Sequence, residues 1–172
     1  VNQWGILNSG VAKVAEIVSG SDAHTGEKYA KVTPQIYNKA EGPYLRSLGM
    51  VLNVEANTEY LLTFWAKSLS AENETNISAA ILTTTAKNIT NKIEGTSSVS
   101  ILKENTAWQE YTLNFNSSSY TQVVVAFGGN TAKVAANYAI DDVTLCEVVE
   151  LITKVNTTGA AGKVVGGTVS GD

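Results

Sequence analysis

The sequence contains a single cysteine, Cys146, and a single histidine, His24. One cysteine cannot form a disulfide within the chain, and one histidine cannot form a metal site that needs several histidine ligands. A Ser–His–Asp triad would require His24, yet no Gly-x-Ser-x-Gly motif accompanies it. Cys146 lies in the apolar segment 143–149, so we interpret it as a structural residue of a strand rather than a catalytic thiol.

Charged residues are also scarce: they make up 16% of the chain, and the net charge is −4. Soluble domains usually carry about 25% charged residues, so Asn, Thr and Ser must supply much of the polar surface. No cluster of basic residues marks a nucleic-acid surface, and no apolar run approaches the roughly 20 residues that span a bilayer. We therefore expect no nucleic-acid partner and no membrane insertion. Because uncharged surfaces rich in Asn and Thr are common in secreted β-proteins, we also expect an extracellular or cell-surface location.

Most of the chain shows the period-two alternation of apolar and polar residues that is typical of strands. In segment 58–67, for example, Tyr60, Leu62 and Phe64 share one face and Trp65 lies on the other. Segments of this kind, separated by turn-forming residues, predict about nine strands: 11–18, 28–33, 46–54, 58–67, 76–85, 97–103, 108–116, 122–127 and 138–149. Segment 86–93 is interpreted as a short helix or an irregular loop. The predicted fold is an all-β antiparallel sandwich of the jelly-roll type.

The 172 residues suit one domain with a tail. We assign residues 1–152 to the sandwich. Residues 153–172 are rich in Gly and Thr and lack aromatics, which is typical either of a linker or of an edge strand that completes the sandwich. Because the first residue is Val1 rather than Met, we expect the chain to be a processed or excised piece that neighbouring domains continue.

Several segments together resemble a known family. They are A-H-T-G-E-K-Y-A-K-V at 23–32, T-E-Y-L-L-T-F-W-A-K at 58–67, T-A-W-Q-E-Y-T-L-N-F at 106–115, V-V-V-A-F-G-G-N at 123–130 and N-Y-A-I-D-D-V-T-L at 137–145. In this order and spacing they resemble the jelly-roll carbohydrate-binding modules attached to bacterial polysaccharide-degrading enzymes, over about residues 4–149. The resemblance implies a non-catalytic module that binds a polysaccharide or oligosaccharide and holds a catalytic partner near it.

The resemblance also implies a structural calcium ion. Its ligands would include the carboxylate of Asp141, which opens the D-D-V motif, and a backbone carbonyl near Glu27. Such oxygens suit calcium, a hard cation that takes six to eight oxygen ligands. The family usually adds an acidic ligand from an Asn-x-x-Phe-Glu segment, which this chain does not contain. The alternative is that Asp141 and Asp142 mark a β-bulge and meet solvent or a lysine.

For the sugar site, the resemblance implies aromatic platforms at Phe127 and Trp4. Sugars present C–H faces to aromatic rings, while their hydroxyls pair with polar side chains. Gln109 is a polar candidate, and Tyr37 and Tyr44 flank the turn-rich segment 38–43.

Trp108 and Trp65 are two further aromatic residues that are not assigned to the sugar site. Trp108 is interpreted as structural. Trp65 lies either on open sheet surface or beneath a loop.

Two other functions compete with carbohydrate binding. One is a structural or adhesive sandwich without a glycan site. The other is a lyase or hydrolase, which would need polar groups gathered in one cleft. Strand alternation would point the adjacent Asp141 and Asp142 apart, which argues against a carboxylate pair. We therefore expect no catalytic activity.

Overall fold

The computed structural model describes residues 4–6, 15–33, 48–70, 76–85, 88–92, 98–128 and 137–149. Within these residues the chain forms eleven strands and no helix. The strands are β1 (Gly5–Ile6), β2 (Ala15–Ser19), β3 (Lys28–Val32), β4 (Leu48–Asn53), β5 (Glu59–Ser68), β6 (Ile77–Thr85), β7 (Asn88–Lys92), β8 (Ser98–Ile101), β9 (Gln109–Asn116), β10 (Gln122–Gly128) and β11 (Tyr138–Glu147). None of the described residues belongs to a helix long and apolar enough to span a membrane.

The described strands pair antiparallel in two sheets. The first, here called the β10 sheet, has the order β1-β4-β10-β6-β7, with β8 also paired to β6. The second, the β11 sheet, has the order β2-β3-β11-β5-β9. Several neighbours are distant in sequence, as are β3 and β11 or β4 and β10, so the sheets depend largely on long-range pairing. The predicted all-β antiparallel sandwich is confirmed.

The hydrophobic core lies between the two sheets. Alternate residues of β5 contribute Leu62 and Phe64, while β10 contributes Phe127 and β11 contributes Tyr138, all fully buried. The rings of Phe64 and Phe127 meet edge to face with centroids 5.0 Å apart, which joins one sheet to the other. Burying a side chain of this size contributes about 1.5–3 kcal/mol relative to exposure.

The nine predicted strands all overlap strands of the structure, but β1 and β7 were not predicted. The interpretation of 86–93 as a helix or loop is wrong, because Asn88–Lys92 forms β7 against β6. Asn-Ile-Thr-Asn-Lys has no clear alternation, and its conformation is decided by the neighbouring strand.

A β-bulge interrupts β11. Its pairing with β5 shifts register between Asp141 and Thr144, and Asp142 adopts a φ of 47°. Asp is one of the few residue types other than glycine that accept this left-handed region readily.

The bulge reverses the alternation of the strand. Before it, Ile140 packs in the core; after it, Val143 and Leu145 do so. Thr144 and Cys146 consequently face outward, and Cys146 is an exposed free thiol.

Candidate functional site

A polar loop of residues 20–27 lies over the outer face of the β11 sheet. The imidazole of His24 stacks on the indole of Trp65, with ring centroids 3.8 Å apart and an interplanar angle of 14°. Trp65 faces outward because its neighbour on β5, Phe64, faces the core. The structure places Trp65 beneath a loop, which is one of its two predicted environments.

The adjacent carboxylates of β11 hold this loop in place. Nδ1 of His24 donates to Oδ2 of Asp142 at 2.6 Å, and the His24 backbone N–H donates to Oδ2 of Asp141 at 2.9 Å. The Thr25 hydroxyl donates to Oδ1 of Asp142 at 2.6 Å. The expectation that alternation points the two carboxylates apart is therefore wrong, because the bulge places both against one turn. The bulge itself was anticipated, but its partners are His24 and Thr25 rather than solvent or a lysine.

These contacts set the charge state of Asp142. The hydrogen bond from His24, followed by that from Thr25, lowers the pKa of the Asp142 carboxyl below its ordinary value. Hydrogen bonds to a carboxylate favour its charged form. Asp142 is therefore ionised at neutral pH.

A second tie joins the 20–27 loop to β5 and to the segment before β9. Nζ of Lys67 contacts Oδ1 of Asp22 at 2.6 Å and lies 4.7 Å from the centroid of the Trp108 ring. Nε1 of Trp108 donates to the backbone carbonyl of Asp22 at 3.1 Å. The Lys67 side chain is only 9% exposed, whereas that of Asp22 is 65% exposed. Trp108 thus anchors the loop, as its structural interpretation expected.

A pocket of about 400 Å³ opens at the edge of the sandwich. The buried part of its lining comes from both sheets, with Leu48 and Phe127 from the β10 sheet and Ile140 from the β11 sheet. Its exposed lining includes Trp4 and Ile17. The lining also includes the charged residues Glu16, Lys28, Asp141 and Asp142. A mainly apolar cleft with a few polar groups is the usual form of a small-molecule site.

The structure brings two predicted sugar-binding residues together at this pocket. Trp4 is 39% exposed, and its ring centroid lies 5.7 Å from that of Phe127 at an angle of 41°. Phe127 itself is 0% exposed and belongs to the core. A stacking platform must expose a ring face, so the implied role of Phe127 as an open platform does not fit its position. It supports the Trp4 ring from the core side.

Of the remaining predicted sugar-binding residues, the structure describes Gln109, which lies away from the pocket. Gln109 begins β9, is exposed, and pairs with Ala66 of β5 at an edge of the β11 sheet. It is not among the residues that line the pocket. Tyr37 and Tyr44 lie outside the described residues, as does segment 153–172, predicted to be a linker or an edge strand.

The predicted calcium ligands both belong to the junction between the 20–27 loop and β11. Oδ1 of Asp141 accepts the N–H of Asp142 and the carbonyl of Glu27 accepts the N–H of Gly20, each at 2.9 Å. Such oxygens keep further lone pairs and are of the hard type that calcium prefers. In the part of the chain that the structure describes, no three or more His, Cys, Asp or Glu side chains gather as a metal site. The two groups fit calcium chemically, and further oxygens would be needed to complete its shell.

Sequence reasoning missed the roles of His24, Ile17 and Lys28. The contacts of His24 with Trp65, Trp108 and the two carboxylates join residues more than 40 positions apart, so no local pattern contains them. The bulge did have a signal, since apolar residues step by two from Tyr138 to Ile140 and then by three to Val143.

A comparison with protein-family models and a comparison with curated proteins give no match. Solved structures do match. A family 4 carbohydrate-binding module (CBM4) is 20% identical, with a TM-score of 0.56 over 84% of this chain and 86% of that one. The CBM22-2 xylan-binding domain of Paenibacillus barcinonensis Xyn10C is 13% identical, with a TM-score of 0.59 over 84% of this chain and 91% of that one.

A third match contains a catalytic module. The CBM22-1–GH10 modules of Clostridium thermocellum xylanase 10B, complexed with xylohexaose, are 13% identical, with a TM-score of 0.53 over 92% of this chain and 27% of that one. At these identities the comparisons establish the architecture. The chain has the β-sandwich fold of the carbohydrate-binding modules.

Proposed function

We propose that this chain is a non-catalytic module that binds a polysaccharide or oligosaccharide through the pocket at Trp4. The observation that carries the proposal is an exposed tryptophan beside an apolar cleft of about 400 Å³. The C–H face of a sugar would stack on the indole, and its hydroxyls would pair with polar groups such as the exposed Lys28. The fold shared with carbohydrate-binding modules supports this assignment.

The contact of Trp4 with Phe127 supports Trp4 as the sugar-binding residue. The contact between the two rings limits the orientations of the indole before a ligand arrives. An aromatic side chain that is already ordered loses less conformational entropy on binding. A supported tryptophan at a pocket mouth is the kind of residue that dominates a binding interface.

The carboxylates beside the pocket support a module without catalysis. A general acid that works near neutral pH needs a raised pKa. The pKa of Asp142 is lowered instead, because its oxygens accept hydrogen bonds from His24 and Thr25. Asp141 accepts hydrogen bonds from the backbone N–H groups of His24 and Asp142. These carboxylates hold a loop, which leaves them poorly arranged for proton transfer.

The proposal includes an extracellular or cell-surface location and covalently linked neighbouring domains. The match to a carbohydrate-binding module joined to a GH10 module supports this arrangement. It also includes a structural calcium ion near Asp141 and the carbonyl of Glu27. Calcium there would fix the 20–27 loop to β11 and take no part in binding sugar.

A structural or adhesive sandwich is the second candidate. Two observations favour it: Phe127 is buried in the core, and His24 covers the face of Trp65. Neither ring is open for stacking, so the binding function rests mainly on Trp4.

Affinity electrophoresis against xylan, β-glucan, mannan and cellulose tests the proposal. We expect retardation by at least one glycan and a loss of about tenfold or more in affinity for Trp4→Ala, equivalent to about 1.4 kcal/mol or more. The matched control is Tyr120→Ala, since Tyr120 is 36% exposed and lies outside the pocket lining. Unretarded migration on every glycan, with the folded state verified by circular dichroism, would overturn carbohydrate binding in favour of the structural sandwich.

A further inference from the structure

The shape of the pocket determines which part of a glycan can enter it. The inference drawn from that shape rests on the proposed carbohydrate-binding function. We infer that the pocket binds the end of a glycan chain, one or two sugar rings deep, rather than the middle of a long chain. Three features of the pocket lead to this conclusion: its floor, its size and its mouth.

The floor of the pocket is the core of the sandwich. Leu48 and Phe127 of the β10 sheet and Ile140 of the β11 sheet line it, and all three are buried members of the central hydrophobic cluster. The pocket therefore enters between the two sheets from the edge, and the core closes it below. A chain that continued in both directions would need an exit on the far side, whereas a terminal sugar needs only the entrance.

The size of the pocket also favours a short ligand. Its volume of about 400 Å³ lies near the lower end of the roughly 300–1,000 Å³ typical of small-molecule sites. That space suits a monosaccharide or a disaccharide.

The mouth of the pocket presents apolar groups from both sheets. Trp4 immediately precedes β1, at one end of the β10 sheet, and Ile17 lies on β2, at one end of the β11 sheet. Both side chains are exposed although they are large and apolar. A sugar ring between them would meet an apolar surface on each side. The exposed Lys28 side chain lines the same pocket and can donate to ring hydroxyls.

The size of the ligand is tested with xylo-, cello- and manno-oligosaccharides of one to six units, by isothermal titration calorimetry. An end-binding pocket gives an affinity that stops rising after two or three units. Affinity that rises steadily to five or six units would overturn the inference and leave carbohydrate binding intact. If the pocket variant Trp4→Ala and the wild type both fail to bind any oligosaccharide or polymer, the proposed function itself fails.

The number of chain ends gives a second test. Intact xylan and the same mass of partially hydrolysed xylan compete against the best oligosaccharide, with β-glucan treated the same way. An end-binding module is displaced more strongly by the hydrolysed sample, in proportion to its chain ends. Equal displacement by both samples would show that the module binds internal segments.

Matched variants test the mouth. Ile17→Ala is expected to lower the affinity for a disaccharide severalfold, since it removes one apolar wall. Val51→Ala is the control, because Val51 is also exposed and apolar but is absent from the pocket lining. Equal disaccharide affinities for these two variants, with unchanged melting temperatures, would contradict the role of Ile17.

Discussion

The imidazole of His24 lies parallel to the indole of Trp65, 3.8 Å away between ring centroids, and donates a hydrogen bond to Asp142 from its edge. The single histidine thus links a loop to two strands of the β11 sheet. Stacking and hydrogen bonding act through different parts of the ring, so substitutions can separate them.

Replacing His24 distinguishes the two contributions. His24→Ala removes both, and we expect it to lower the free energy of unfolding by about 1–2 kcal/mol. His24→Phe restores the ring over Trp65 without the hydrogen bond, and should recover part of that loss. Urea denaturation followed by tryptophan fluorescence measures both variants. Equal destabilisation by Ala and Phe would show that the stacking contributes nothing.

Asp142 should make stability depend on acid pH. Its folded-state pKa lies below its unfolded value because of the bonds from His24 and Thr25. A lowered carboxyl pKa contributes stability that is fully present above about pH 4 and lost as the pH falls through the folded value.

Asp142→Asn keeps a residue that tolerates positive φ but removes this titration. With EDTA present, the melting temperature of the wild type should fall more steeply below pH 4 than that of the variant. Parallel curves would refute the link.

The pair of Lys67 and Asp22 should respond asymmetrically to substitution. Lys67 is the buried partner, so Asp22→Ala leaves its ammonium without a carboxylate, whereas Lys67→Met leaves only an exposed carboxylate. Removing the partner of a buried charge is the more destabilising change. We expect Asp22→Ala to lower the free energy of unfolding by about 1–2 kcal/mol and Lys67→Met by less. The reverse order in urea denaturation would contradict this assignment.

Substitutions at Phe127 and Trp4 should affect different properties, stability at Phe127 and glycan affinity at Trp4. Phe127 is a buried core residue, so Phe127→Leu should lower the free energy of unfolding by about 1–2 kcal/mol and leave most of the glycan affinity. Trp4→Ala should lower the glycan affinity and leave the free energy of unfolding nearly unchanged. Denaturation and titration of the same two proteins provide the comparison. A loss of binding in Phe127→Leu as large as that in Trp4→Ala would return Phe127 to the binding surface.

Calcium should stabilise the fold if it binds at Asp141. Adding millimolar calcium to chelator-treated protein is expected to raise the melting temperature. At a calcium concentration one hundred times the dissociation constant, the free energy of unfolding should increase by about 2.7 kcal/mol. Asp141→Asn should abolish the shift, and Glu104→Gln, at an exposed carboxylate outside the 20–27 loop, should preserve it. No shift in the wild type would refute the site.

The strands were predictable because their alternation is local. In β5, the period-two pattern places Phe64 inside and Trp65 outside, as the structure does. The environment of Trp65 was not predictable, since it depends on His24, about 40 residues earlier in the chain. Such a contact arises only when β3, β11 and β5 pair.

The candidate site was predicted less well than the fold. In the run Val123–Phe127 every residue is apolar, so periodicity cannot say which face is covered. Register with β4 and β6 turns Phe127 inward, so that it supports the Trp4 ring from the core instead of forming an open platform beside it.

The core-facing residues of β11 have even numbers before the bulge at Asp142 and odd numbers after it. If the same residues continued in regular alternation, with no bulge, Val143 and Leu145 would face solvent and Cys146 would enter the core. The length of the segment between Ile140 and Val143 is therefore as constrained as its composition. A deletion of one residue there would restore regular alternation and keep Val143 and Leu145 inside, but it would leave one carboxylate rather than two against the 20–27 loop. In any homologous chain, the spacing from the last inward residue before the bulge to the first one after it should stay at three.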